Sequence, residues 1–153
     1  MTAFAALYTL HVLAALVWVG GMFFAWAVLR PAAAVLDGPA RLTLWNAVFP
    51  RFFRWVWAAV LLLPLSGVGL LHLGFGGFDT APRYVQAMMG LYVAMVSLFL
   101  RIQTLHLPGL RRAVDAADWN EGAQGLARIR RLVGLNLLLG LSVVALGAAR
   151  PGF

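Results

Sequence analysis

AFAALYTLHVLAALVWVGGMFFAWAVL, residues 3–29, carries no charged side chain and a single imidazole, His11. At about 1.5 Å per residue a helix of this length reaches roughly 40 Å, more than the roughly 30 Å hydrocarbon core of a bilayer. Strands are excluded, because an open sheet edge in lipid leaves backbone groups unpaired. A cleaved leader is not expected either: no Lys or Arg precedes Arg30, and the apolar run exceeds a leader's short core. The run therefore reads as a retained span.

Three further runs follow, at about 52–73, 84–106 and 132–149, and together they predict one all-α domain over 1–153, a four-helix transmembrane bundle. The 63% apolar content agrees, since a soluble domain of this size sits near half. Residues 30–51 hold the breakers Arg30-Pro31, Asp37-Gly38-Pro39 and Pro50, and residues 74–83, GFGGFDTAPR, form a Gly-rich turn closed by Pro82. Residues 107–131 start at Pro108-Gly109 and predict a short cytoplasmic amphipathic helix before the fourth span, with Asp118 and Glu121 marking a helix start.

The net charge of +7 comes from twelve arginines and no lysine. Ten of them lie in regions 30–54 and 101–131; only Arg83 and Arg150 lie at the other ends of the spans. That asymmetry places the basic loops in the cytoplasm and both termini in the periplasm of a bacterial inner membrane. The bilayer, not nucleic acid, is the partner this charge implies. The absence of cysteine excludes disulfides, thiolate metal sites and iron–sulfur clusters.

His11 is the candidate site's centre. It lies about 12 Å inside the first span, where an ionisable group normally faces the bundle and has a partner. His11, Ala15, Trp18 and Met22 share one helical stripe that reads as inward-facing. Met88 and Met89 open the third span at similar depth, and thioether sulfur suits Cu(I) or the sixth position of a haem. His72, at the outer end of the second span, reads as a metal-entry or secondary ligand or as a hydrated interfacial residue. Arg83, at a helix N-terminus, suits an anion such as a haem propionate or serves as an interfacial anchor. His106 and the deeper Met22 and Met95 read as interface and core. Pro64, Ser66 and Gly67 suggest a kink or close contact in the second span; Asn136 and Gly140 read as helix-packing residues. No acidic residue lies in any span, which argues against a carboxylate proton relay.

Three stretches carry a family likeness. LHVLAALVWVGGMFFAWAVLRP (10–31), with its His, Trp, Gly-Gly, aromatic pair and Arg-Pro, resembles the copper-resistance D (CopD) family and the related HemJ-type membrane proteins. FPRFFRWVWAAVLLLPLSG (49–67) resembles the second helix of CopD-like proteins, and LARIRRLVGLNLLLGLSVVALG (126–147) the end of small stand-alone ones. The resemblance implies a four-helix unit in the plasma membrane that handles copper. Its HemJ branch implies haem b and a redox enzyme, with the first-span histidine at His11 as axial ligand. The third-span lysine ligand of that branch falls at or beside Met88, and this chain has no lysine. The resemblance thus leaves three readings: a copper ion on His11, Met88, Met89 and His72; haem b on His11 and Met88 with Arg83 nearby; or a structural module without cofactor. A homo-oligomer or a periplasmic partner is compatible with each.

Overall fold

The structure is a computed structural model describing residues 1–152. Four helices account for the chain: α1 (Ala3–Ala33), α2 (Gly38–Phe75), α3 (Arg83–Asp115) and α4 (Trp119–Ala149), each long and apolar enough to cross a membrane. α1 packs along α2 and α3 along α4, and α4 also touches α2. The N-terminus of α1 meets the C-terminus of α4, where Arg150 Nη2 donates to the Tyr8 hydroxyl at 3.4 Å. The chain therefore runs up and down, with ten of its arginines at one end.

The apolar surface is turned outward. Leu16, Leu61, Leu65 and Leu138 are each more than 60% exposed. In water such a surface would drive association; in lipid it is the solvated face. The interior is held by large side chains that fill the bundle axis. Trp18 meets Tyr92 and Phe99 edge-on at 6.4 and 6.3 Å, and Phe99 in turn meets Phe53 at 5.4 Å and Trp57 at 5.1 Å. Asn136 Nδ2 donates to the Met95 carbonyl at 3.2 Å, and Gly140, one turn further, lets Val19, Met22 and Met95 close on α4. Met22 and Met95 are both buried, as core residues.

The helices run further than the apolar runs. Of the three breakers between the first two spans, only Asp37-Gly38-Pro39 interrupts the chain. Asp37 caps α2 by accepting from the Ala40 N–H at 2.8 Å, and Pro39 sits in the first turn, where no N–H is needed. Pro31 lies within α1 and Pro108 within α3. Each follows a stretch of wider π turn, Phe24–Leu29 and Ile102–His106, that makes room for a ring which would otherwise strike the carbonyl one turn back. The amphipathic segment before the fourth span is present as Leu107–Asp115, continuous with α3. Asp118 then caps α4 by accepting from the Glu121 N–H. At the opposite end, α2 stops at Gly76, whose φ of +77° is the left-handed conformation that glycine adopts without strain.

Candidate functional site

Ser66 sits two residues beyond Pro64 in α2 and is fully buried. A serine inside a helix commonly turns its hydroxyl back on the preceding turn. Here Oγ donates to the Leu62 carbonyl at 2.7 Å, with the Leu63 carbonyl at 3.2 Å. That uses the only proton the hydroxyl has. The same Oγ lies 2.8 Å from His11 Nδ1 across the α1–α2 contact; with its proton on the Leu62 carbonyl, Oγ accepts from Nδ1–H. In that arrangement Nδ1 carries the imidazole proton, and Nε2 keeps its lone pair.

Gly67 completes the seat. The imidazole Cε1 lies 3.4 Å from where a Cβ on Gly67 would stand, so a larger residue there would press on the ring. His11 is half-buried, and among the described residues no hydrogen bond reaches its Nε2. Below it along α1, Trp18 and Met22 are each 2% exposed, so the stripe from His11 faces the interior. The arrangement is the one that ligating histidines use: one ring nitrogen donates to a fixed oxygen, which orients the ring and directs the other nitrogen to a metal.

His72, one and a half turns beyond Ser66, repeats the tautomer at the surface. Its Nδ1 lies 2.9 Å from the Val68 carbonyl, which can only accept, so Nε2 again holds the lone pair, here on an exposed side chain. Met89 is 42% exposed. Met88 is half-buried and packs its methyl 3.3 Å from the Cβ position of Gly147 on α4. Arg83 starts α3 and is exposed, following Pro82. The four candidate ligands thus share the arginine-poor end of the bundle. His11 packs against Ser66 and Gly67 of α2, and Met88 against Gly147 of α4. Among the described residues no three His, Cys, Asp or Glu side chains cluster in a way that would hold a metal.

Two residues essential to this geometry were not singled out by their chemistry from sequence. The sequence marks Ser66 only as a kink or close contact, whereas its hydroxyl meets His11 Nδ1 across the α1–α2 contact. Tyr92 donates its hydroxyl to the Val60 carbonyl at 2.6 Å. Val60 stands four residues before Pro64, which has no N–H to offer that carbonyl. A search for whatever satisfies Val60 would have pointed to a donor on a neighbouring span.

The family model for copper resistance protein D matches residues 46–150. That stretch holds Ser66, His72, Met88 and Met89 and leaves His11 outside it. No curated protein and no solved structure matches the chain.

Proposed function

The chain belongs to the copper resistance protein D family, and from that membership we propose that it handles copper in the membrane through His11, as a ligand that receives Cu(I) at the arginine-poor end. The observation that carries the reading is the His11–Ser66 bond, which leaves Nε2 as a preset, unpartnered donor inside a lipid-spanning bundle. Exposed His72 and Met89 stand nearer the surface, where they would take the ion first, and Met88 adds a soft sulfur at the same end. Imidazole and thioether are neutral ligands, so Cu(I) bound by them keeps a single charge, the smallest burden for a site in lipid.

The arginine asymmetry supports an orientation with the arginine-rich end in the cytoplasm and both termini outside a bacterial inner membrane, in which copper would meet this site from the periplasm. A Cu(I) titration of the detergent-purified protein against a chromogenic chelator, under reducing conditions, tests the reading. His11→Ala is expected to abolish the tightest site, and Met88→Leu or His72→Ala to weaken it. Equal affinity of wild type and His11→Ala would overturn it. A Soret band from protein made in haem-replete cells would transfer His11 to haem ligation.

A further inference from the structure

At the arginine-rich end a second feature stands apart from the copper reading. There α2 and α3 line a cleft of about 430 Å³, within the size range of small-ligand pockets. Both walls are shaped by proline. Pro50 lines the α2 side, and the π turn before Pro108 carries Gln103 on the α3 side. Arg51 and Arg54 reach it from α2 and Arg111 from α3, while Trp57 and Leu107 supply apolar wall.

The order of these groups along the bundle can be read from the aromatic contacts. Phe99 lies against both Phe53 and Trp57. Gln103, one turn beyond Phe99, is therefore level with Pro50 and Arg51. From the membrane interior outward the cleft presents Trp57, then Arg54, then Arg51 with Gln103, and finally Arg111. It passes from apolar to cationic in the same direction as an amphiphile whose tails lie in the bilayer.

Three charges and one amide oxygen in the cleft are unmet. Among the described residues the one ion pair is Arg128–Glu121, so no carboxylate neutralises Arg51, Arg54 or Arg111. Arg51 spends one nitrogen on the Ala47 carbonyl at 2.8 Å and keeps the rest of its fork. The Gln103 side chain lines the cleft, and its Oε1 is turned inward and, among the described residues, has no partner. A buried unpaired amide costs stability until something bonds to it. Rotation of the amide would present either end to the cleft, and a hydroxyl there bonds to whichever end it meets, because it both donates and accepts.

We propose that this cleft is a binding site for an anionic glycerophospholipid with a hydroxylated headgroup, its phosphate held by Arg51 and Arg54 and its headgroup hydroxyl by Gln103 and Arg111. Guanidinium forks match phosphate oxygens in pairs. Trp57 lies where the glycerol backbone meets the acyl chains, the usual level of an interfacial tryptophan. The shared chemistry is a phosphate with a nearby hydroxyl; the cleft's apolar inner end selects a lipid over free phosphate as its source.

The test is native mass spectrometry of the intact protein in detergent, titrated separately with phosphatidylglycerol, phosphatidic acid and phosphatidylcholine, and with inorganic phosphate as competitor. Phosphatidylglycerol is expected to be retained above phosphatidic acid, and both above phosphatidylcholine. Arg54→Gln with Arg111→Gln should lower its retention by about fivefold per arginine. Arg112→Gln with Arg131→Gln, at the same end but outside the cleft, should leave retention unchanged. Gln103→Leu keeps every charge and should erase the preference for phosphatidylglycerol over phosphatidic acid, which keeps the test sharp if the arginine pair impairs folding. Equal loss in the control pair would overturn the site. Displacement of the lipid by equimolar inorganic phosphate would overturn the lipid as its ligand.

Discussion

Tyr92 on α3 donates its hydroxyl to the carbonyl of Val60 on α2, the one that Pro64 leaves without an intrahelical donor. Proline in a membrane helix is tolerated where a neighbour re-satisfies the freed backbone group. Here one phenol does this and ties two spans together. Tyr92→Phe is expected to cost about 1–2 kcal/mol, the penalty of an acceptor left unpaired away from water. Pro64→Ala restores the missing N–H, so Tyr92→Phe in that background should cost less. The check is a double-mutant cycle by reversible unfolding in mixed micelles, with coupling between the two positions as the expected outcome. Strict additivity would mean that the phenol does not serve this carbonyl.

Ser66→Ala removes the acceptor of the His11 proton while leaving His11 in place. The ring then loses the oxygen that fixes it against α2 and is left with the Leu63 carbonyl as its neighbouring acceptor. Loss of such an orienting partner typically lowers metal affinity about 10–100-fold. Cu(I) affinity of Ser66→Ala is expected to fall by that order, less than in His11→Ala. Unchanged affinity would show that Ser66 only packs.

Gly20 and Gly21 are adjacent in α1 but meet different surroundings. A Cβ on Gly20 would find Leu16 Cδ1 at 3.8 Å, an ordinary contact, whereas a Cβ on Gly21 would stand 2.2 Å from Phe52 Cε2. Gly21→Ala must push the Phe52 ring away from α1 and is expected to destabilise by about 1–3 kcal/mol. Gly20→Ala should be neutral or slightly stabilising, because alanine restricts the unfolded chain more than glycine. Unfolding midpoints of the two variants decide this, and equal effects would show that Phe52 does not limit the approach of α1 to α2.

Asn136 is buried with one end of its amide bonded to the Met95 carbonyl and the other, Oδ1, without a partner among the described residues. The bond and the unpaired oxygen oppose each other. Interhelical hydrogen bonds in membranes average about 0.6 kcal/mol, so little is lost when this one is removed. Asn136→Leu is expected to shift stability by less than about 1 kcal/mol in either direction, read from the same unfolding assay. A loss of several kcal/mol would mean that Oδ1 has a partner in the membrane-bound protein.

The spans were legible because lipid imposes one simple demand, a long apolar run, and residues 3–29 meet it on their face. The inward stripe from His11 through Trp18 to Met22 was legible for the same reason, since an imidazole at that depth has to face protein. The ends of the helices were not. Pro31 and Pro50 read as breakers and Pro108 as the start of a connection, because proline has no N–H, yet a helix continues through each of the three. At Pro31 and Pro108 a π turn absorbs the ring, an adjustment that no local pattern announces. The partner of His11 was hidden because it depends on the register of α1 against α2, which places position 11 opposite position 66. The arginine-rich cleft was hidden likewise: Arg51, Arg54 and Arg111 read as topology signals until the structure set them around Gln103.

The chain has no cysteine, so single introduced thiols report on topology without background. Asp79 lies in the turn between α2 and α3, at the arginine-poor end, and is exposed; Val35 lies between α1 and α2, at the arginine-rich end, and is 88% exposed. Arginine bias sets orientation through the charge that flanks the spans, and here it is ten against two. Asp79→Cys in spheroplasts is expected to react with a membrane-impermeant maleimide added outside, whereas Val35→Cys should react only after permeabilisation. The opposite pattern would invert the topology and put His11 and His72 on the cytoplasmic side, where copper would meet them as a leaving ion and not as an arriving one. Labelling of both thiols from outside would mean that the population is inserted in two orientations and that arginine bias does not govern this chain.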